Sequence, residues 1–334
     1  MKKIYAIIAI AFLVLFVAAA GLYVSLLKFA KQPAAESAHA TVVAIKPGEG
    51  FRSTSQRLFD AGIIKSAFKL SLLARIKGYD KRVKAGEYLF SARLTPAEIL
   101  EMMVGGKVIL YKVTVPEGYS MRQIAAVVAE AGLATAEAFL QAAGNADRVK
   151  TAGIEADTFE GYLFPDTYYL PRDIGPEKIV DTMVRRFRSV FLPEWEARAN
   201  ELGFSVHEIV TLASMIEKET GLPAERPLIS SVFHNRLKKR MRLESDPTVI
   251  YGIDGFSGNI TRKDLAAERP YNTYRIRGLP PGPIANPGAR SLEAALYPAD
   301  TRYLYFVSKN DNSHQFSTNV LEHNRAVRKY QLNR

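Results

Sequence analysis

An uncharged run from Ile4 to Leu27, preceded by Lys2 and Lys3, is the strongest constraint on what this chain can fold into. About 24 residues of helix rise about 36 Å, enough to cross a bilayer with some tilt. Ala18, Ala19 and Ala20 supply the small residues of a signal-peptide cleavage site. The apolar run nevertheless continues through Leu22, Tyr23, Val24, Leu26 and Leu27, which favours an uncleaved anchor. Lys2 and Lys3 then hold residues 1–3 in the cytoplasm as a short tail, residues 4–27 span the membrane, and everything after residue 28 lies on the far side.

Charge and composition narrow the partners. The 334 residues carry 45 Lys and Arg against 34 Asp and Glu, a formal charge of +11. Nucleic acid, an anionic membrane face and a carboxylate-bearing polymer all suit such a balance. An exported basic protein meets envelope polymers, so no nucleic-acid partner is expected. Hydrophobic residues make up 48% of the chain, enough for real cores. Cysteine is absent, which removes disulfides, thiolate zinc sites, iron-sulfur clusters and Cys nucleophiles together. His314 and His323 stand without a third ligand nearby, so no metal and no other cofactor is expected.

Beyond the membrane the pattern is α+β. Residues 28–40 lack apolar periodicity and read as a linker. A small strand-helix module follows over 41–113. Its first strand ends at the Pro47-Gly48-Glu49-Gly50 turn, and the next helix is expected to turn Leu58 and Phe59 inward and to end at Gly62. Helices are expected over 68–76 and 97–104, the latter started by Thr95-Pro96, with alternating strands over 83–90 and 108–115. Pro116-Glu117-Gly118-Tyr119 and the helix after it weakly echo residues 47–62. A mixed α+β domain is expected over 114–334. Between Thr158 and Leu170, Phe159, Tyr162, Phe164, Tyr168 and Tyr169 surround Glu160 and Asp166; they are either core or a wall for stacked sugar rings. At the far end a strand is expected over 302–308 and a helix over 319–330, capped by Asn319 and Glu322.

Ser205-Val-His-Glu208 is a capping box that starts a helix. Ile209, Leu212, Ala213 and Ile216 form one apolar stripe on it, and Glu217 stands at the stripe's edge. Glu219 is turned about 200° away, so the two acids are not expected to act on one substrate atom. A carboxyl in an apolar setting holds its proton toward neutral pH, the property a general acid needs. The plain alternative is a surface pair between Glu217 and Arg236 or Lys218. A second helix is expected over 224–239. Asp246, before Pro247, is either a turn or cap carboxylate or a second acid. The Pro- and Gly-rich stretch from Gly278 to Gly288 suits a fixed loop lining a groove. Asn272, Thr273 and Asn286 would offer a sugar amide and hydroxyl hydrogen bonds.

Leu212-Ala-Ser-Met-Ile-Glu-Lys-Glu-Thr220, Asn235-Arg-Leu237, Glu244-Ser-Asp-Pro-Thr-Val-Ile-Tyr-Gly252, Tyr271-Asn-Thr-Tyr274 and Gly278-Leu-Pro-Pro-Gly-Pro-Ile-Ala-Asn-Pro-Gly288 together resemble the endolytic murein transglycosylases, the MltG or YceG-like family. Glu160-Gly-Tyr-Leu-Phe-Pro-Asp-Thr-Tyr168 resembles the family's upstream motif. The resemblance covers about residues 41 to 330 and implies a single-pass protein of the bacterial inner (plasma) membrane, with a LysM-like module before a periplasmic catalytic domain. It further implies cleavage of nascent peptidoglycan glycan strands, terminating their elongation, and association with peptidoglycan synthases, the penicillin-binding proteins. The family's catalytic glutamate corresponds to Glu217. Bottom-up chemistry is compatible: one carboxyl suffices for a lytic reaction that ends in 1,6-anhydro-N-acetylmuramic acid, whereas a hydrolase needs two. Asp246, Tyr271, Asn272, Thr273, Tyr274, Asn286 and Glu160 are the expected substrate-binding residues. The alternatives are a two-carboxylate hydrolase using Glu217 with Asp246 or Glu160, and a noncatalytic glycan-binding scaffold.

Overall fold

A computed structural model describes residues 2–35, 40–256 and 258–332. They fall into two units, one running to Tyr111 and including Leu170–Asp173, the other holding the remainder.

Helix α1 (Lys2–Lys31) is the one helix among the described residues that is long and apolar enough to cross a membrane. Its apolar stretch is exposed, but Leu26, Phe29 and Ala30 near its end are buried in the core of the smaller unit, and Lys69 Nζ donates to Ser25 Oγ at 2.9 Å. The helix therefore continues four residues into the expected linker, whose residues 36–39 lie outside the described set.

The rest of the smaller unit is β1 (Ala40–Ile45), α2 (Phe51–Asp60), α3 (Ala67–Ile76), β2 (Gly86–Ser91) and α4 (Pro96–Gly105). The strands pair antiparallel with Val43 opposite Tyr88. Strand alternation decides which face is inside: Val43, Ile45, Tyr88 and Phe90 are buried, Val42 and Leu89 exposed. Leu58, Leu70, Leu73, Ile99 and Met103 close the core from the helices, each such side chain contributing about 1.5–3 kcal/mol by leaving water. Phe59 departs from expectation and is exposed, because α2 offers one face to the sheet and Leu58 occupies it. Thr95 and Glu98 form a full capping box on α4.

Strand β3 (Tyr111–Thr114) pairs with β4 (Thr167–Leu170), and all but Tyr111 and Leu170 of the two strands belong to the larger unit. Helices α5 (Met121–Glu130), α6 (Ala136–Ala143) and α7 (Ala146–Thr151) lie between them in sequence, and α8 (Pro176–Val190) and α9 (Pro193–Leu202) follow. Next come α10 (Val206–Glu219), α11 (Arg226–Lys238), α12 (Asp246–Tyr251), α13 (Arg262–Ala266) and α14 (Ala289–Leu296). The chain ends with a hairpin of β5 (Tyr305–Ser308) and β6 (His314–Ser317), then α15 (Val320–Val327) and a π-helical turn. Strand β6 was not expected. The capping at Asn319 is also shifted: Asn319 accepts from Glu322 N, but Glu322 reaches back to Thr318 N.

Helix α10 is the axis of this unit and packs on α14, α11 and α12. Every residue from Ile209 to Ile216 is buried, not the single stripe that periodicity suggests. Its buried hydroxyls are satisfied locally: Thr211 Oγ1 donates to His207 O and Ser214 Oγ to Thr211 O. Ser214 Oγ also accepts from Ile284 N at 3.0 Å, fastening the Gly- and Pro-rich loop to the helix. Gly161 (φ +87°) makes the close approach on the other side, where a Cβ would meet Pro283 and Val210.

Candidate active site

The Ser205 and Glu208 capping box is fully formed and fixes where α10 begins. Glu217 thereby falls in its last turn, with a side chain only 6% exposed. Oε1 accepts from Arg226 Nη2 at 2.9 Å, and Oε2 accepts from the backbone N–H of Gly288 at 2.9 Å. Its surroundings are thus buried but not apolar. The expected apolar setting, and the alternative pairing with Arg236 or Lys218, both give way to Arg226, the first residue of α11. Arg236 turns elsewhere, to Leu304 O, Leu243 O and Glu244, and Lys218 Nζ donates to Gly118 O.

The segment 116–119 is part of this centre, although the sequence marks it only as an echo. Gly118 N donates to Asn286 O, a Cβ on Gly118 would touch Glu217 Cγ, and Glu117 Oε2 lies 3.6 Å from Arg226 Nη2. Glu117, Arg226 and Gly288 are therefore neighbours of the candidate acid that pattern reading missed. The Pro-Glu-Gly-Tyr turn was the available signal, because such a turn can place a backbone close to another element.

Glu160 is buried on the far side of Asn286. Met121 N donates to both of its oxygens, Tyr251 Oη to Oε2 at 3.1 Å and Asn286 Nδ2 to Oε1 at 2.8 Å. Burial pushes its carboxyl up to about 7, against the opposing pull of these donors. Glu160 and Tyr271 line a cleft of about 820 Å³ with Lys150, His207, Tyr251 and Gly282. Tyr251 and Tyr271 pack with ring centroids 4.9 Å apart. Glu217 is not among the residues lining this cleft, which opens toward the start of α10.

Three expected sugar contacts are spent inside the protein, which corrects the expectation that they present free amides and hydroxyls. Asn286 accepts from Leu163 N and donates to Tyr119 O and Glu160. Asn272 donates to the carbonyls of Asp264, Leu265 and Ala267 and accepts from Tyr274 N. Thr273 Oγ1 accepts from Ser245 N and pairs with Thr248 Oγ1. All three are buried and shape the walls. Tyr274 instead donates from Oη to Asp246 Oδ1 at 2.7 Å, and Asp246 is exposed at the start of α12. Of the five aromatics near Glu160, only Tyr169 is exposed; the others are core.

Glu219 points away from Glu217, as helix geometry demands, and accepts from Ser245 Oγ at 2.5 Å. Burial pushes its carboxyl up to about 7, with Asp246 adding to the effect and Ser245 and Arg236 opposing it. His314 is bound to Glu225 through Nδ1 at 2.7 Å. No cluster of three or more metal-binding side chains occurs among the described residues.

A protein of Bacillus subtilis (strain 168) named endolytic murein transglycosylase is 33% identical over 90% of this chain and 87% of its own length. One of the same name from Streptococcus pneumoniae serotype 2 is 29% identical over 88% of this chain and 59% of its own. The crystal structure of a YceG-like protein from Listeria monocytogenes superposes with a TM-score of 0.60 at 33% identity, covering 87% of this chain and 100% of that one. With the family model matching residues 43–329, the chain belongs to the YceG-like family.

Proposed function

We propose that this protein is a membrane-anchored endolytic murein transglycosylase, a lyase that cuts peptidoglycan glycan strands between N-acetylmuramic acid and N-acetylglucosamine. Family membership and the names of its relatives support the class of reaction. The observation that carries the assignment of the acid is that separate stretches, the Pro-Glu-Gly-Tyr turn, the end of α10, the start of α11 and the Gly- and Pro-rich loop, converge on the Glu217 carboxyl.

Gly288 N–H holds Oε2 and the Arg226 guanidinium holds Oε1, so in this reading Oε1 takes up the proton as the guanidinium withdraws from it. Protonated Oε1 gives its proton to the glycosidic oxygen as the C1–O bond breaks. The muramyl C6 hydroxyl closes on C1, and its proton returns to Oε1. One carboxyl acts first as acid and then as base, consuming no water and leaving a 1,6-anhydro end. Tyr271, Asp246 and Tyr274 offer the strand an accessible edge, while Asn272, Thr273, Asn286 and Glu160 hold the walls behind it.

The anchor is proposed to lie in the bacterial inner membrane with Lys2 and Lys3 in the cytoplasm and the bulk in the periplasm. Residues 41–113 are proposed as a LysM-like module and 114–334 as the catalytic domain. Peptidoglycan synthases are proposed partners, since a terminator of elongation must act where strands emerge. Digestion of purified sacculi by the full-length protein and by Glu217→Gln, with fragments weighed, tests the chemistry. Anhydro fragments from the parent and none from the variant are expected. Fragments heavier by one water would instead establish a hydrolase, and binding without release a scaffold.

A further inference from the structure

We propose that Glu117 is a positioning residue of this reaction, receiving the Arg226 guanidinium while Glu217 carries its proton. This rests on Glu217 being the acid proposed above.

Arg226 Nη2 lies 2.9 Å from Glu217 Oε1 and 3.6 Å from Glu117 Oε2, so one nitrogen serves two carboxylates. The arginine side chain is only 7% exposed. A buried guanidinium left without an anion is strongly unfavourable. Protonation of Glu217 removes one anion from Arg226, and Glu117 is the second one within reach. A small movement of the guanidinium then frees Oε1 to hold its proton and restores the ion pair when the proton has gone to the leaving oxygen.

Two further features fit this role. Arg226 Nε is buried with no hydrogen-bond partner, so the guanidinium is not clamped through that atom. Glu117 is held in place although half-exposed: its carboxylate occupies the space above Gly288 that any side chain would fill, and Gly118 N–H on Asn286 O pins the turn. The other charged groups around Glu217 are accounted for. Lys218 is engaged with Gly118 O, and Glu219 faces Ser245. Asp246 on α12 and Arg290 and Glu293 on α14 are exposed.

The test is sacculus cleavage by the full-length protein in detergent. Glu117→Gln leaves Arg226 with Glu217 as its one carboxylate partner of the two. The expected result is a kcat reduced about tenfold with KM unchanged, because Glu117 acts through Arg226 and does not touch the strand. Glu117→Asp, which keeps the negative charge, should restore most of the kcat.

A Glu117→Gln kcat equal to the parent's overturns the proposal. So does a loss that comes with a lowered melting temperature and that Glu117→Asp leaves uncorrected. Glu217→Gln separates the two claims: full cleavage by that variant removes Glu217 as the acid, whereas an inactive Glu217→Gln beside a Glu117→Gln of parental kcat removes only the role of Glu117.

Discussion

Gly288 donates its backbone N–H to Glu217 Oε2 at 2.9 Å across 71 positions of sequence, and on its Cα side it leaves the space occupied by Glu117. Its φ is ordinary, so what the site requires here is the missing side chain and not a special backbone angle. Gly288→Ala should push the Glu117 carboxylate off Arg226. Because that carboxylate is the half-exposed end of a flexible side chain, the stability loss should stay near the low end of overpacking, about 1 kcal/mol. Activity should fall by tenfold or more, as about 1.4 kcal/mol of lost transition-state stabilisation already gives that factor. Thermal melting and sacculus digestion on the same preparation check both halves.

Glu217 and Arg226 are both buried, and breaking such a pair from one side costs more than the pair contributes. Arg226→Gln should destabilise the larger unit by about 3 kcal/mol. The double variant Arg226→Gln with Glu217→Gln should recover a substantial part of that loss, since no buried charge is left alone. Urea unfolding of the four members of the cycle measures the coupling, and strictly additive losses would contradict it.

Glu160 and Glu219 are each pushed up to about 7 by burial, from an ordinary value of 4.5. A carboxyl raised in the folded state binds its proton more tightly there than in the unfolded chain. Its contribution is therefore fully present below about pH 4.5 and is lost as pH rises through about 7. These two groups should make the protein melt at higher temperature near pH 5 than near pH 8, by about 1 kcal/mol per pH unit for each group within that window. Glu219→Gln keeps an oxygen for Ser245 and should flatten the dependence. A melting curve in that variant as steep in pH as the parent's would argue against Glu219 as a source.

Asn286 is the joint between two acids, linking Glu160 through its side chain and Gly118, beside Glu217, through its carbonyl. Asn286→Ala would strip donors or acceptors from Leu163 N, Tyr119 O and Glu160 at once. A loss of about 2–4 kcal/mol is expected, visible as a lowered urea midpoint. If Asn286 were instead free to serve only a bound sugar, the variant would unfold like the parent and merely raise KM.

Much of the local structure was written in short stretches of sequence. The span from Ile4 to Leu27, the caps at Thr95 and Ser205 and the alternation of Val43 and Ile45 on β1 depend on neighbours within a few residues, and that is where chain statistics are strongest. The spacing also placed Glu217 on the helix that Ser205 caps, at the edge of its apolar stripe. It could not say what Glu217 would face: the apolar setting inferred from helical periodicity became a buried ion pair with Arg226.

Asn272, Thr273 and Asn286 show the same limit from the other side. Their residue types suggest polar contacts with a ligand, but burial leaves them obliged to satisfy the protein's own backbone first. By itself, then, the sequence determined the long apolar N-terminal helix, the caps at Thr95 and Ser205 and the helix on which Glu217 lies. Only the tertiary structure brought Glu117, Arg226 and Gly288 around Glu217, because long-range packing decides which charges meet and no pattern within one segment encodes it.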